Sequence, residues 1–180
     1  MKIETIEISG FVSAFRALRL PFKGKDKIDS IFGECYCFND EFLTTHYSIK
    51  IGEKDNKILQ GLVKNGDEHA KVVRGIKATC SIIAPRYWWQ EMDTYRIGHE
   101  RLSSESTMHC EAKGLSGEEL QKVKSEIKEG LEQERIDEFT YQTLRRIYFQ
   151  RRNHRLPEWK IFIEWIKTLP FANELIFLGC

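Results

Sequence analysis

No stretch of this chain stays apolar for the roughly 18 residues that a membrane-spanning helix requires. Neither sign of charge dominates: 28 Lys and Arg stand against 27 Asp and Glu, a net charge of +1. There is thus no general reason to expect binding to nucleic acid or to a membrane surface, and any anion site must be local. The first residues, MKIETIEISG, form no apolar leader. Cysteines are few and odd in number, Cys35, Cys37, Cys80, Cys110 and Cys180, which fits a reducing cytoplasm better than a disulfide framework. A chain of 180 residues buries about 70% of its unfolded surface without such staples.

The familiar catalytic signatures are missing as well: no Walker loop, no GxGxxG, no HExxH and no GxSxG. Cys35 and Cys37 lack a second Cys or His pair at ligand spacing, so no metal is expected. His109 and Cys110 are adjacent, would face opposite sides of a strand and have no evident orienting carboxylate, which favours a structural role over a nucleophilic pair. The basic run Arg145, Arg146, Arg151, Arg152, His154 and Arg155 is flanked by acidic residues on both sides, which argues against a nucleic-acid stripe. With no internal repeat, low-complexity tract or linker, residues 1–180 read as one domain.

What the chain does have is a dense polar and aromatic stretch over 83–109, IAPRYWWQEMDTYRIGHERLSSESTMH. A helix over 86–97 puts Trp88, Met92 and Tyr95 on one face and Trp89, Met92 and Arg96 on the adjoining one. The serines that follow, Ser103, Ser104 and Ser106, come with Thr107, Glu105 and His109. Donors, acceptors and flat rings in one place suit a planar, polar, anionic ligand; a half-buried helix followed by a polar loop is the plainer alternative.

Elsewhere the spacing predicts a strand over 3–8, a helix from about Phe11 with Phe15 and Leu18 inward, a helix over 56–63 stopped by Asn65-Gly66, and a short helical turn over 66–73. Residues 30–50 are ambiguous. Ile76, Ala78, Cys80 and Ile82 alternate with polar residues as a strand does. Ser116 and Glu119 have capping-box spacing, so a helix begins at Gly117, with Leu120, Val123, Ile127 and Leu131 as its core stripe. A helix over 141–153 carries Leu144, Ile147 and Tyr148 on one face, and Arg151 continues that face. An arginine on such a row needs a ligand anion or a carboxylate of the chain. The helix over 158–168 is apolar nearly all round, with Trp159, Ile161, Phe162, Ile163, Trp165 and Ile166, so it is buried or covered by another copy.

The order of these elements, together with Gln90, Thr94-Tyr95-Arg96, SSESTMH over 103–109, His69-Ala70-Lys71 upstream and Gln150-Arg151 downstream, resembles the flavin-dependent thymidylate synthases, the ThyX family. Their signature is RHRxxSxNExSxRY. Only the last arginine of RHR is kept, as Arg96, and two or three extra residues separate the halves. Aligning Ser106 with the family serine pairs His109 with its tyrosine, whereas aligning Glu105 with the family glutamate shifts the segment by one. The paired tryptophans, the DTYR helix, the STMH loop and RRNHRLPEW are similar to phage-encoded ThyX-like proteins.

The resemblance implies an α+β fold with a central sheet flanked by helices, a homotetramer, and sites shared between subunits in a bacterial host's cytoplasm. It implies FAD and a pyrimidine nucleotide such as dUMP as ligands, with a methylene group drawn from tetrahydrofolate. Arg86, Trp88, Gln90, Tyr95, Arg96, His69 and Lys71 then face the cofactor, with Trp89 adding to an aromatic shelf. Ser104, Glu105, Ser106, His109 and Arg151 face the substrate, and no residue is assigned to catalysis. Loss of two residues of RHR leaves two functional readings open: a diverged flavin enzyme modifying a pyrimidine, or a nucleotide-sequestering protein without flavin chemistry.

Overall fold

The computed structural model of the protein describes residues 1–39 and 42–178; Cys180 and the side chains of Cys35 and Cys37 lie outside the described residues. In chain order the elements are β1 (Lys2–Ser9), α1 (Phe11–Arg19), β2 (Ile31–Asn39), β3 (Phe42–Lys50), α2 (Glu53–Lys64), β4 (Lys77–Pro85), α3 (Arg86–Met92), β5 (His99–Ser104), α4 (Gly117–Glu126), β6 (Glu132–Thr140), α5 (Tyr141–Arg151), α6 (Pro157–Thr168) and α7 (Ala172–Leu175). A four-stranded antiparallel sheet has the order β1-β4-β6-β5, and β2 and β3 form a separate hairpin out of the stretch that is ambiguous in sequence. No described helix is long and apolar enough to cross a membrane.

The two inner strands show why the site lies on this sheet. Ala78, Cys80, Ile82 and Ala84 alternate to the buried side of β4. On β6 the inward positions are Arg135, Asp137 and Phe139, paired in register with Ile82, Cys80 and Ala78. A central strand that turns an arginine and an aspartate inward has no apolar alternation to reveal it, and the sequence reading passes over it. That reading instead continues the helix from Gly117 through Leu131. The structure corrects this: α4 ends at Glu126, Ile127 is already extended, no residue of α4 is buried and Ser116 makes no side-chain cap.

The helix expected over 86–97 also stops early. Thr94 turns its hydroxyl back to the Glu91 carbonyl at 2.7 Å, a local bond that competes with helix continuation. Gly98 then takes φ 73°, and a Cβ there would meet the Thr140 and Thr143 hydroxyls at 2.5 Å. Gly98 is what lets the chain reverse into β5. Gly98→Ala is expected to lower stability by about 1 to 3 kcal/mol, read as a shift in urea midpoint; an unchanged midpoint would show that the turn has another basis.

Helices pack in a series, α1 on α2, α2 on α7, α7 on α6 and α6 on α5. Phe15 and Leu18 are buried on α1 as their spacing predicts. The apolar helix α6 hides Trp159, Phe162, Ile163, Trp165 and Ile166 inside its own chain and leaves Ile161 exposed. Of the two readings of this apolar helix, burial within its own chain is the one found, so its composition requires no second copy.

Candidate functional site

Residues 91–99 bridge α3 and β5, and their side chains gather the polar groups of the sheet edge. The Asp93 carboxylate accepts from Arg135 Nη1 at 2.8 Å and also from Arg101. Arg135 is 8% exposed and lies over the Trp89 ring at 4.2 Å, a stacked and paired cation of the kind arginine sustains when desolvated. Its Nε is buried without a partner among the described residues. Burial pushes the guanidinium below its ordinary pKa, and Asp93 opposes that shift.

Beside it, the fully buried carboxylate of Asp137 meets His99 Nε2 at 2.8 Å, and the other ring nitrogen of His99 faces the Tyr95 carbonyl at 3.0 Å. The imidazole stacks on Phe139, centroids 4.4 Å apart and planes 9° apart. The second oxygen of Asp137 has no partner among the described residues. Cys80 is next to it across the strand pair, and burial followed by the Asp137 charge pushes this thiol well above its ordinary range. Such a thiol is protonated and unreactive.

A third cluster centres on Glu91. Its Oε2 accepts from Arg151 Nη1 at 2.8 Å and from Trp159 Nε1 at 2.8 Å, with His154 Nε2 at 3.6 Å. Arg151 Nε donates to the Tyr95 hydroxyl at 2.9 Å. Of the two partners open to an inward arginine at this position, this structure holds the chain's own carboxylate. Arg96, expected beside it, is exposed.

The other expected site residues fall in several places. Trp88 and Trp89 have no exposed surface, and the Trp88 ring is enclosed by Trp89, Trp159 and Phe162. Neither presents an open face as a shelf. Tyr95 is 5% exposed. Gln90 is exposed and donates to Glu129 at 2.8 Å, the residue that Arg86 approaches at 4.0 Å. Ser106 Oγ accepts from the Met108 amide at 3.2 Å, and His109 is exposed in the turn that follows. Of the basic run, Arg145 is buried and donates to the carbonyls of Ile176 and Leu178 at 2.9 and 2.6 Å, so these arginines form no continuous surface stripe.

Two cavities contain the remaining residues. A cleft of about 580 Å³ between α1 and the segment before β4 is walled by Ala14, Ala17, Leu18 and Val72, with His69 and Lys71 in its lining. A smaller one of about 340 Å³ is lined by Ser103, Ser104, Glu105, Glu134, Arg135 and Ile136. Here Glu105 accepts from the Glu134 amide at 2.9 Å. The second cavity combines hydroxyl donors, two carboxylates and an arginine already paired, so it suits a neutral, hydrogen-bonding ring better than a phosphate. Arg135, Asp93, Glu91 and Asp137 are the residues that the sequence reading missed. For Arg135 and Asp137 the one signal is the placement of charges two apart in β6, ending on Phe139; Glu91 and Asp93 lie in and just after α3 and carry no such signal.

No protein-family model matches this chain, and no curated protein matches it. Solved structures do. The flavin-dependent thymidylate synthase ThyX from Helicobacter pylori, complexed with FAD and dUMP, superposes with a TM-score of 0.69 at 14% identity, covering 100% of this chain and 99% of that one. A second structure of the Helicobacter pylori enzyme with FAD and dUMP gives 0.68 at 13%, over 99% and 97%. A UMP/dUMP methylase, PolB from Streptomyces cacaoi bound with 5-Br dUMP, gives 0.63 at 13%, over 99% and 92%. At such identities the likeness is one of fold, and it runs the full length of the chain: this protein has the α+β fold of the flavin-dependent thymidylate synthases, a central sheet flanked by helices.

Proposed function

We propose that this chain binds a pyrimidine nucleotide such as dUMP together with FAD, and acts as a diverged flavin-dependent enzyme on the pyrimidine C5 position. The observation that carries this reading is the full-length fold likeness to structures complexed with FAD and dUMP, joined to a cleft of suitable size that holds both upstream residues, His69 and Lys71. The apolar walls Ala14, Ala17, Leu18 and Val72 fit a flat ring system and exclude water from it. Lys71 supplies positive charge for phosphate oxygens and His69 a ring N–H, beside the Glu68 carboxylate in the same lining. In the smaller cavity, Ser103 and Ser104 donate to the carbonyls of a pyrimidine, Glu105 or Glu134 accepts its N–H, and Arg135 is held in place by Asp93. A bound flavin supplies the hydride chemistry. The chain's part is to position the base, exclude water and fix charge. In this reading the protein works as a homotetramer in the cytoplasm.

A second reading, nucleotide binding without turnover, is favoured by one observation. Arg151 is paired with Glu91, and Arg135 and Arg101 share the carboxylate of Asp93, which leaves these arginines less free to clamp a cofactor.

Lys71 offers the direct test, because it is exposed and its replacement leaves the core untouched. Lys71→Glu is expected to weaken FAD binding about tenfold or more while the melting temperature of the free protein stays the same. Flavin fluorescence titration of both proteins checks this. Equal affinities would place the cofactor phosphates elsewhere, and no saturable binding by wild type would leave the second reading.

A further inference from the structure

The donors around Glu91 are arranged as they would be around a ligand. Arg151 comes from the end of α5, Trp159 from α6, and His154 from the turn between them. All three reach one oxygen, Glu91 Oε2, at 2.8, 2.8 and 3.6 Å. The guanidinium also lies over the Trp159 ring at 4.6 Å and is held from its other edge by the Tyr95 hydroxyl at 2.9 Å. A guanidinium, an indole N–H and an imidazole directed at one point, with the cation oriented by an aromatic face, form a receptor for a carboxylate or phosphate. The Arg151 side chain remains 19% exposed and that of Glu91 33%, so the place opens to solvent.

We propose that Glu91 is a specificity-determining residue: it fills the oxyanion position of Arg151 in cis and keeps oxyanion-bearing ligands off that arginine. The internal carboxylate has the advantage over a free anion because its tether on α3 leaves it no translational freedom to lose. A free phosphate must displace it and leave a carboxylate unpaired. The consequence for ligand choice rests on the nucleotide reading above. The phosphates of bound FAD then meet Lys71 and His69, and the sheet edge recognises the neutral base of the pyrimidine nucleotide.

Glu91→Gln removes the charge and keeps an oxygen for the Trp159 indole. The probe is inorganic phosphate against chloride at equal ionic strength, read by thermal melting and by calorimetric titration. The variant is expected to bind phosphate at least about tenfold tighter than wild type and to be stabilised by it, and adding Arg151→Gln to the variant should abolish both effects. Phosphate acting no more strongly on Glu91→Gln than on wild type, or acting equally without Arg151, would reduce Glu91 to a structural strut and overturn the proposal. If the variant does not fold in chloride, refolding is compared in phosphate: recovery supports the proposal, and failure in both salts overturns it. Phosphate carries neither flavin nor base, so this outcome is independent of the titration that tests the proposed function.

Discussion

Asp55→Ala should destabilise the protein by about 3 to 5 kcal/mol, a large share of the 5 to 15 kcal/mol typical of a folded domain. Asp55 has no exposed surface, and its carboxylate serves four groups at once. One oxygen accepts from Arg19 Nε; the other accepts from the amides of Asp29 and Ser30 at 3.1 and 2.9 Å and from the Ser30 hydroxyl at 2.6 Å. Asp29 replies by accepting from the amides of Lys54 and Asp55 at 2.9 Å each, which caps the start of α2 from a distant part of the chain. Alanine at 55 leaves a guanidinium only 8% exposed with just its longer contact to Asp29 at 3.5 Å, and takes the acceptor from two part-buried backbone donors. Burying a charge without its partner is what makes the loss large. Asp55→Asn keeps an acceptor for one set of donors, so its loss should be smaller. Urea denaturation of the three proteins measures both effects, and a loss below about 1 kcal/mol for alanine would mean that the pair behaves as if solvated.

Trp88→Ala should destabilise the protein comparably, by about 3 to 5 kcal/mol. The Trp88 ring sits 4.9 Å from Trp89, 5.0 Å from Trp159 and 5.6 Å from Phe162, centroid to centroid, so its removal opens a cavity where α3, α6 and the sheet meet. Its indole N–H has no partner among the described residues. Trp88→Phe therefore keeps a ring and removes a buried donor, and its loss should be much smaller. The pair separates a core role from a cofactor shelf. As core, the phenylalanine variant binds FAD as wild type does while the alanine variant melts early; as a shelf, both fold normally and both bind FAD weakly.

Where apolar periodicity was strong, the elements were legible: β1, α1, β4 and α5 lie where their spacing places them, and Phe15 and Leu18 face inward. Strand β6 was not legible, because Arg135 and Asp137 occupy its buried positions and are sustained there by Asp93, Trp89 and His99. Pattern reading prices such residues as exposed; tertiary partners reverse that. The helix over 86–97 was overextended because nothing in its own spacing shows that Asp93 is drawn away to Arg101 and Arg135. Arg151 was legible as an arginine needing a partner, but the partner, Glu91, is 60 residues away in sequence. The clusters around Glu91 and Asp93 fall within or against the stretch 83–109 that the sequence singles out, whereas the cleft with His69 and Lys71 lies outside it. The charge balance of these clusters was not legible, since that depends on which carboxylates fold back onto which arginines.

The departures from a cofactor clamp and the fold likeness pull in different directions, and physical chemistry puts the difference at the phosphates. A fold that accommodates a flat ring needs only a walled cleft, which α1 and Val72 provide. Holding two phosphates needs unpaired cations, and here the inward arginines are already engaged. The proposed function therefore rests the phosphates on Lys71 and His69 of that cleft.

The visible spectrum of the purified protein, after equilibration with FAD and removal of free cofactor by gel filtration, tests the central claim most directly. Flavin absorbance is expected to co-elute with the protein, and the spectrum to change when dUMP is added. A colourless protein that also shows no thermal shift at high FAD concentration would contradict the claim.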